Sequence, residues 1–425
     1  MNIPELYALY LQHPSVETDT RKLNKGDIFF ALKGPNFNGN LYAQKAFEAG
    51  ASYCICDEVT DYSHEHIILV EDCLKSLQQL AKYHRQQFDI PFIAITGSNG
   101  KTTTKELVSE VLSTTYKTYT TQGNLNNHIG VPLTLLSIKK DAEIAVIEMG
   151  ANHQKEIEGY CAYTLPTHGI ITNCGKAHLE GFGGEEGVKK GKGELFNFIR
   201  ETNGSAFINT DYDYLIEMSD GINKVISFGE RCGDVTGNIT YDDTYLEVSI
   251  TKGANLPCIK TQLVGGYNLP NILTAVCVGK TFNVADEAIK AALENYAPTN
   301  SRSQLVHSSS NKIILDAYNA NPTSMKAAIE NFARMEGDKK VLVLGGMMEL
   351  GESSLKEHHD IIHLILKYPW HAIVLVGKDY INLPKNFIHF TNSSETKEWY
   401  QQQKFENALV LIKGSRSMQM EKVLD

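Results

Sequence analysis

Short apolar runs rich in β-branched residues alternate with stretches of helical period along this chain, and glycine or small polar residues mark most of the joins. The sharpest join lies in Pro91 to Thr104, PFIAITGSNGKTTT. Phe92, Ile93, Ala94 and Ile95 read as a buried strand, which breaks at Gly97-Ser98-Asn99-Gly100 into a segment that opens a helix. On either side of this join the pattern falls into blocks. In residues 1–85, an apolar strand within Gly26 to Leu32 leads through a polar turn, Gly34 to Asn40, to a helix over Ala43 to Ala49 and a strand around Tyr53 to Cys56. In residues 86–296, strands at Phe92 to Ile95, Ile144 to Glu148, Gly169 to Thr172 and Ala206 to Asn209 alternate with helices, as in a parallel sheet, and Gly237 to Ile250 alternates like a hairpin. Helices over Leu269 to Phe282 and Ala285 to Tyr296 close that block.

From residue 297 the period resets. Strands at Lys312 to Leu315, Val341 to Leu344, Ala372 to Val376, Phe387 to Phe390 and Ala408 to Ile412 alternate with helices at Ser324 to Met335, Ser354 to Lys367 and Glu395 to Gln402. This is the pattern of a doubly wound domain. The expected fold class is α/β in three domains: a small N-terminal α/β unit (1–85), a central phosphate-loop unit on a parallel sheet (86–296) and a Rossmann-like C-terminal unit (297–425).

Composition narrows the class of partner. A chain of 425 residues is longer than one hydrophobic core supports, in keeping with several domains. A formal net charge of −10 argues against a nucleic-acid binder, since such a surface repels phosphate backbones outside a local basic patch. The eight cysteines include no CxxC pair, the usage of a reducing compartment. The N-terminus lacks a basic segment followed by a long apolar core, and no apolar run reaches the length of about 18 residues needed to span a membrane. A cytoplasmic protein without membrane insertion is expected.

The chemistry starts at the join. Backbone N–H groups in a glycine-rich turn, added to the partial positive charge of a helix N-terminus, suit a polyphosphate. Gly97 to Thr103 would hold a polyphosphate, with Lys101 reaching the terminal phosphates and the hydroxyl of Thr102 or Thr103 on magnesium. The loop is short: Gly97 stands only three positions before Gly100, and Ile95 occupies the place of the usual first glycine. Glu148 closes an apolar strand in AVIEMGAN and is placed either to hold Mg²⁺ or as an exposed strand-end acid. His178 sits in the Gly-rich segment TNCGKAHLEGFG. Lys192, in GVKKGKGELF, belongs either to a solvated charged helix face or to a metal site, where its neutral amine would react with CO₂ to give a carbamate, an oxygen ligand suited to a hard ion. Asn268 and Asn271, in GGYNLPNILTA, would cap a helix or read a base edge. In the last block, Asp316 ends a strand and Asn321-Pro322 precedes a helix, so the carboxylate faces the crevice where α/β ligands bind, with Arg302, Lys413 and Arg416 nearby.

Taken together, TGSNGKTTT, EMGAN, AHLEGFG and the KGE segment resemble the Mur ligases of peptidoglycan synthesis, and the likeness runs over essentially the whole chain. Within that family, DAYNANPTSM, LGGMMELGE and KGSRSMQMEKV are similar to the branch that adds D-alanyl-D-alanine to UDP-MurNAc-tripeptide. The resemblance implies a monomeric, ATP-driven amide ligase with a pair of magnesium ions. It puts UDP against Thr18, Asp19, Thr20 and Arg21 and against Asn38, Gly39 and Asn40. It puts ATP on the loop with Asn268, Asn271, Arg302 and Asp316, and metal on Thr102, Glu148, His178 and carbamylated Lys192. The amine substrate would meet Tyr318, Asn319, Asn321, Lys413, Ser415 and Arg416. Three places differ from the family pattern: Asn40 where relatives often have histidine, Leu315 before Asp316 where a second acid is common, and Gly346 in Gly345-Gly346-Met347 where the usual motif has aspartate. The competing readings are a sister Mur ligase, a folylpolyglutamate synthetase-like ligase, and a phosphate-loop NTPase switch.

Overall fold

Ile28, Phe29 and Phe30 are fully buried, so they can only be a central strand. They lie in a four-stranded parallel sheet ordered Val16–Glu17, Ile28–Phe30, Tyr53–Cys56, Ile67–Leu69. The computed structural model describes all 425 residues and gathers the rest of the chain on two further large sheets. A helix at Ile3–Gln12, started by a reciprocal Asn2–Glu5 capping box, packs on helix Cys73–Arg85, which lies against strand Ile28–Phe30 of the first sheet. The second helix also docks this unit on the next one. Arg85 donates to the Thr164 and Leu165 carbonyls at 2.9 Å each and stacks on Phe92, and His84 contacts the Ile138 carbonyl at 2.8 Å.

The central sheet has nine strands in the order Ile259–Lys260, Leu246–Lys252, Val235–Asp242, Lys224–Gly229, Ser205–Asn209, His168–Ile171, Phe92–Thr96, Ile144–Glu148, Thr118–Thr120. Its parallel part puts Phe92–Thr96 between His168–Ile171 and Ile144–Glu148. The carboxyl ends of those three strands therefore open on one edge, which brings the phosphate loop, Glu148 and the segment after Ile171 together. The expected hairpin is present as Val235–Asp242 against Leu246–Lys252, and Ile259–Lys260 adds a last antiparallel strand at that edge.

The C-terminal sheet runs Gln304–Ser308, Asn311–Asp316, Ala408–Lys413, Lys339–Gly345, Ala372–Val376, Ile388–Phe390, with only the first strand antiparallel. That first strand has no counterpart among the sequence expectations. It is a half-exposed edge with two apolar residues, and so carries no alternation to read. Two helices begin earlier than their apolar period suggests, at Pro322 and Ser393, because Asn321 and Asn392 cap them. No helix is long and apolar enough to cross a membrane.

Candidate active site

Between the central and C-terminal sheets lies a cavity of about 710 Å³. Its floor is the loop that ends strand Phe92–Thr96 and starts helix Lys101–Ser113. Gly97 and Gly100 have φ of +142° and +83°, and a Cβ on them would stand 2.0 Å from Thr172 Oγ1 and 2.6 Å from Asn271 Oδ1, so no other residue fits either place. The loop is braced from behind: the Ser98 N–H donates to the Asn173 carbonyl at 2.8 Å and the Asn99 N–H to Asn173 Oδ1 at 3.1 Å. No side chain caps the helix at Gly100, which leaves its first N–H groups to a ligand. The Lys101 ammonium folds back onto the Gly97 and Ser98 carbonyls at 2.6 and 3.3 Å. Burial lowers its pKa to about 8, with Glu148 opposing the shift and Arg302 adding to it.

Glu148 is 1% exposed, so it is not the solvent-facing acid that a strand end permits. Its Oε1 accepts from Asn126 Nδ2 at 2.7 Å and Thr102 Oγ1 at 3.2 Å, while Oε2 is buried without a partner. An orphaned carboxylate oxygen beside a hydroxyl, on the wall of a polyphosphate-sized cavity, fits a hard cation that takes few protein ligands and completes its shell with phosphate and water. Nowhere do three or more His, Cys, Asp or Glu side chains gather as a metal site, in keeping with that ligand count. Asn126 was not among the expected residues. Its signal in the sequence is the asparagine-rich turn Gly123-Asn124-Leu125-Asn126-Asn127.

The basic run around Lys192 is not a uniformly solvated face. Helix Glu185–Glu201 turns Val188, Lys192, Leu195, Phe196 and Ile199 inward and leaves Lys190 exposed. Lys192 is 1% exposed, with its ammonium 3.0 Å from the Ala151 carbonyl and over the Phe182 ring. Burial, reinforced by the Lys101 charge, pushes its pKa well below the ordinary lysine value. It sits behind the cavity wall, under Ala151, and not on the wall itself. His178, in a left-handed conformation, does line the cavity, and its Nδ1 pairs with the Glu349 carboxylate of the C-terminal unit.

Asn268 makes no side-chain cap, and both asparagines line the cavity. Asn271 joins Thr104 Oγ1 at 3.0 Å to Asn268 Oδ1 at 2.9 Å, and Asn268 donates to the Val264 carbonyl at 2.9 Å. The pair also braces the phosphate-loop helix. Across the cavity, Asp316 and the buried Lys413 form an ion pair at 2.6 Å, and Tyr318, Asn319 and Asn321 share that wall. Arg302 stacks on Tyr318 with its guanidinium carbon 3.6 Å from the ring centre. Among the contacts that tie the C-terminal unit to the central one are Asn321 Nδ2 to Asn99 Oδ1 at 2.7 Å, Lys176 to Glu357 at 2.7 Å, the Lys176 N–H to Thr323 Oγ1 at 3.1 Å, and His178 to Glu349.

Several expected residues lie elsewhere. Ser415 is buried and spends its hydroxyl on the Ala320 carbonyl and the Met348 N–H, and Arg416 pairs with Glu421 outside the cavity. In the N-terminal unit, Thr18 to Arg21 form a turn in which exposed Arg21 grips Asp19 through two nitrogens and lowers its pKa to about 2. Asn40 is 1% exposed, and its amide is committed to Asn38 and Asp57, so it cannot face a ligand as expected. The Gly39 N–H donates to the Leu32 carbonyl at 2.9 Å, and Asn38 Nδ2 donates to Glu58 at 2.7 Å.

Comparison with known proteins gives concordant likenesses. The Mur ligase middle domain matches residues 95–279, and the Mur ligase glutamate ligase domain matches residues 301–416. The UDP-N-acetylmuramoyl-tripeptide--D-alanyl-D-alanine ligase of Bacillus subtilis (strain 168) is 34% identical, over 100% of this chain and 96% of its own. The enzyme of that name from Escherichia coli (strain K12) is 35% identical, over 99% of this chain and 95% of its own. Among solved structures, MurF from Acinetobacter baumannii superposes with a TM-score of 0.88 at 32% identity, covering 96% of this chain and 92% of its own. MurF from Thermotoga maritima in complex with ADP gives 0.85 at 27% identity, covering 97% of each chain.

Proposed function

The chain belongs to the Mur ligase family, and from that membership we propose that it joins D-alanyl-D-alanine to UDP-N-acetylmuramoyl-tripeptide at the expense of ATP, making the pentapeptide precursor of peptidoglycan. The observation that carries the reading is one cavity with two unlike walls: a phosphate loop with Lys101 on the central side, and the Asp316 to Asn321 segment with Lys413 on the C-terminal side. Amide formation in water is uphill, so the tripeptide carboxylate first attacks the γ-phosphate of ATP. The acyl phosphate so formed is then attacked by the D-alanyl-D-alanine amine, and phosphate leaves. An anion attacking a polyanion needs its charge neutralised where it develops, which is the task of Lys101 and Arg302.

Thr102, Glu148 Oε2, His178 and a carbamate on Lys192 are the groups that would hold magnesium, which when bound polarises the phosphoryl oxygens. The Thr18 to Arg21 turn and Asn38 are the proposed surface for UDP, with Gly39 and Asn40 shaping the turn from beneath. Both walls of the cavity come from one chain, which supports a monomer, and a reaction on ATP and a UDP-linked substrate is expected in the cytoplasm.

The experiment is phosphate release with ATP, UDP-MurNAc-tripeptide and D-alanyl-D-alanine, each omitted in turn. Release is expected only with all three present. Release with ATP alone would make the protein a nucleotide switch instead. An acyl phosphate hydrolyses when wet, so the docked C-terminal unit matters for the yield. Lys176→Glu, which sets a carboxylate against buried Glu357, is expected to lower turnover about tenfold and to enlarge the radius of gyration in X-ray scattering. Unchanged scattering with unchanged turnover would mean that this contact does not hold the domains together.

A further inference from the structure

The segment linking the central and C-terminal sheets, residues 296–303, runs from helix Asp286–Asn295 to the edge strand Gln304–Ser308. A polar cluster at its upstream end has no part in the reaction as described. Glu106, on the helix that starts at the phosphate loop, accepts from the Tyr296 hydroxyl and from Asn300 Nδ2, which is 3.1 Å from each carboxylate oxygen. Lys105 Nζ stands 3.6 Å from the same carboxylate.

Downstream, Ser301 and Ser303 have φ of +56° and +50°. Side chains other than glycine hold such values only where the surroundings over-determine them. Here they do: the Ser303 N–H donates to Asp316 Oδ1 at 3.2 Å, its hydroxyl meets that of Tyr267 at 2.8 Å, and the Ser301 carbonyl accepts from the Tyr318 N–H at 3.2 Å. Arg302 lies between the two serines. Its guanidinium rests on Tyr318 and lines the cavity with Lys101, and its Nε is buried without a partner.

We propose that Glu106 is a positioning residue of the ligase reaction, holding Tyr296 and Asn300 so that the linking segment presents Arg302 to the phosphates above Lys101. The inference rests on the reading that this cavity takes ATP. Its physical content is pre-organisation. Arg302 sits on a short span tied at one end to the phosphate-loop helix and at the other to Asp316 and Tyr267. Lys101 and the anchor of Arg302 thus belong to one rigid element, and the guanidinium needs little ordering when the polyphosphate arrives.

A double-mutant cycle on the full chain tests this. Glu106→Ala and Arg302→Ala, singly and together, are titrated with a non-hydrolysable ATP analogue and magnesium by calorimetry, and KM for ATP and kcat are measured alongside. Each single variant is expected to weaken analogue binding about tenfold. The double variant is expected to lie within about twofold of Arg302→Ala alone, since Glu106 then has nothing left to position. A tenfold loss from Glu106→Ala in both backgrounds, or no loss in either, overturns the proposal. If Glu106→Ala does not fold, Tyr296→Phe and Asn300→Ala carry the same cycle, with equal effects in both backgrounds again overturning it. A wild-type chain that does not bind the analogue overturns the ATP reading and the proposal with it, whereas an Arg302→Ala variant that binds it as well as wild type overturns the proposal alone.

Discussion

Lys101→Ala is expected to reduce phosphate release in the complete reaction by roughly 10³-fold, the scale seen when a group stabilising developing charge is removed from a desolvated site. The Lys101 ammonium lies across the loop on the Gly97 and Ser98 carbonyls. Those are neutral acceptors, and a polyphosphate offers charged ones, so the side chain exchanges weaker bonds for stronger ones when ATP enters. Burial has already weakened its hold on its proton, and the anion reverses that. Nothing else in the loop substitutes for it: Arg302 approaches from the far wall, and Lys192 lies behind Ala151. Lys101→Arg is expected to fail almost as badly, because a planar fork does not follow the path of an extended amine between two loop carbonyls. Turnover and thermal midpoint measured together decide it. Turnover within tenfold of wild type, in a folded variant, would reduce the stretch to a structural turn.

Lys192→Ala is expected to lose about 100-fold or more of the activity, and added formate or acetate to restore part of it. The reasoning begins with a buried lysine that has no carboxylate partner, only the Ala151 carbonyl and the Phe182 face. Such an amine is driven toward its neutral form. The neutral nitrogen has a lone pair with which to attack CO₂; one N–C bond forms, a proton leaves, and a cation gives way to a carbamate anion. Shortening the side chain opens a space that a small carboxylate can enter and occupy in the same sense. Carbon-13 NMR with labelled bicarbonate provides a readout apart from activity: a carbamate signal in the wild type that is missing from Lys192→Ala. An alanine variant with normal turnover would sink the idea.

How far the site was legible can be judged residue by residue. The loop from Gly97 to Thr103 is readable because strand end, tight turn and helix start are contiguous, and each is dictated by neighbours in the chain. Asp316 and Glu148 are readable for a related reason, since an acid at the carboxyl end of a buried strand in a parallel sheet must open on the ligand edge. Asn40 misleads because a turn of small polar residues has the same composition whether its amides face solvent or lock the turn from within. Lys192 is ambiguous because KKGK holds both an exposed and a buried lysine, and only the helix phase separates them. Asn268 and Asn271 sit where capping residues belong, yet their partners are Thr104 and Val264, which no local rule could supply.

By itself, the sequence determined the α/β period and the strand, tight turn and helix start around Gly97 to Lys101, because each is written in the spacing of apolar positions and glycines within a few consecutive residues. The tertiary structure alone decided which polar groups meet: Asn126 on Glu148, His178 on Glu349, Asn99 on Asn321, and Tyr296 with Asn300 on Glu106. Those pairings depend on the order of strands in the sheets and on the docking of one sheet against another. Both are set by the burial of strand faces across the whole chain, and a polar side chain carries no local mark of the partner that burial will bring to it.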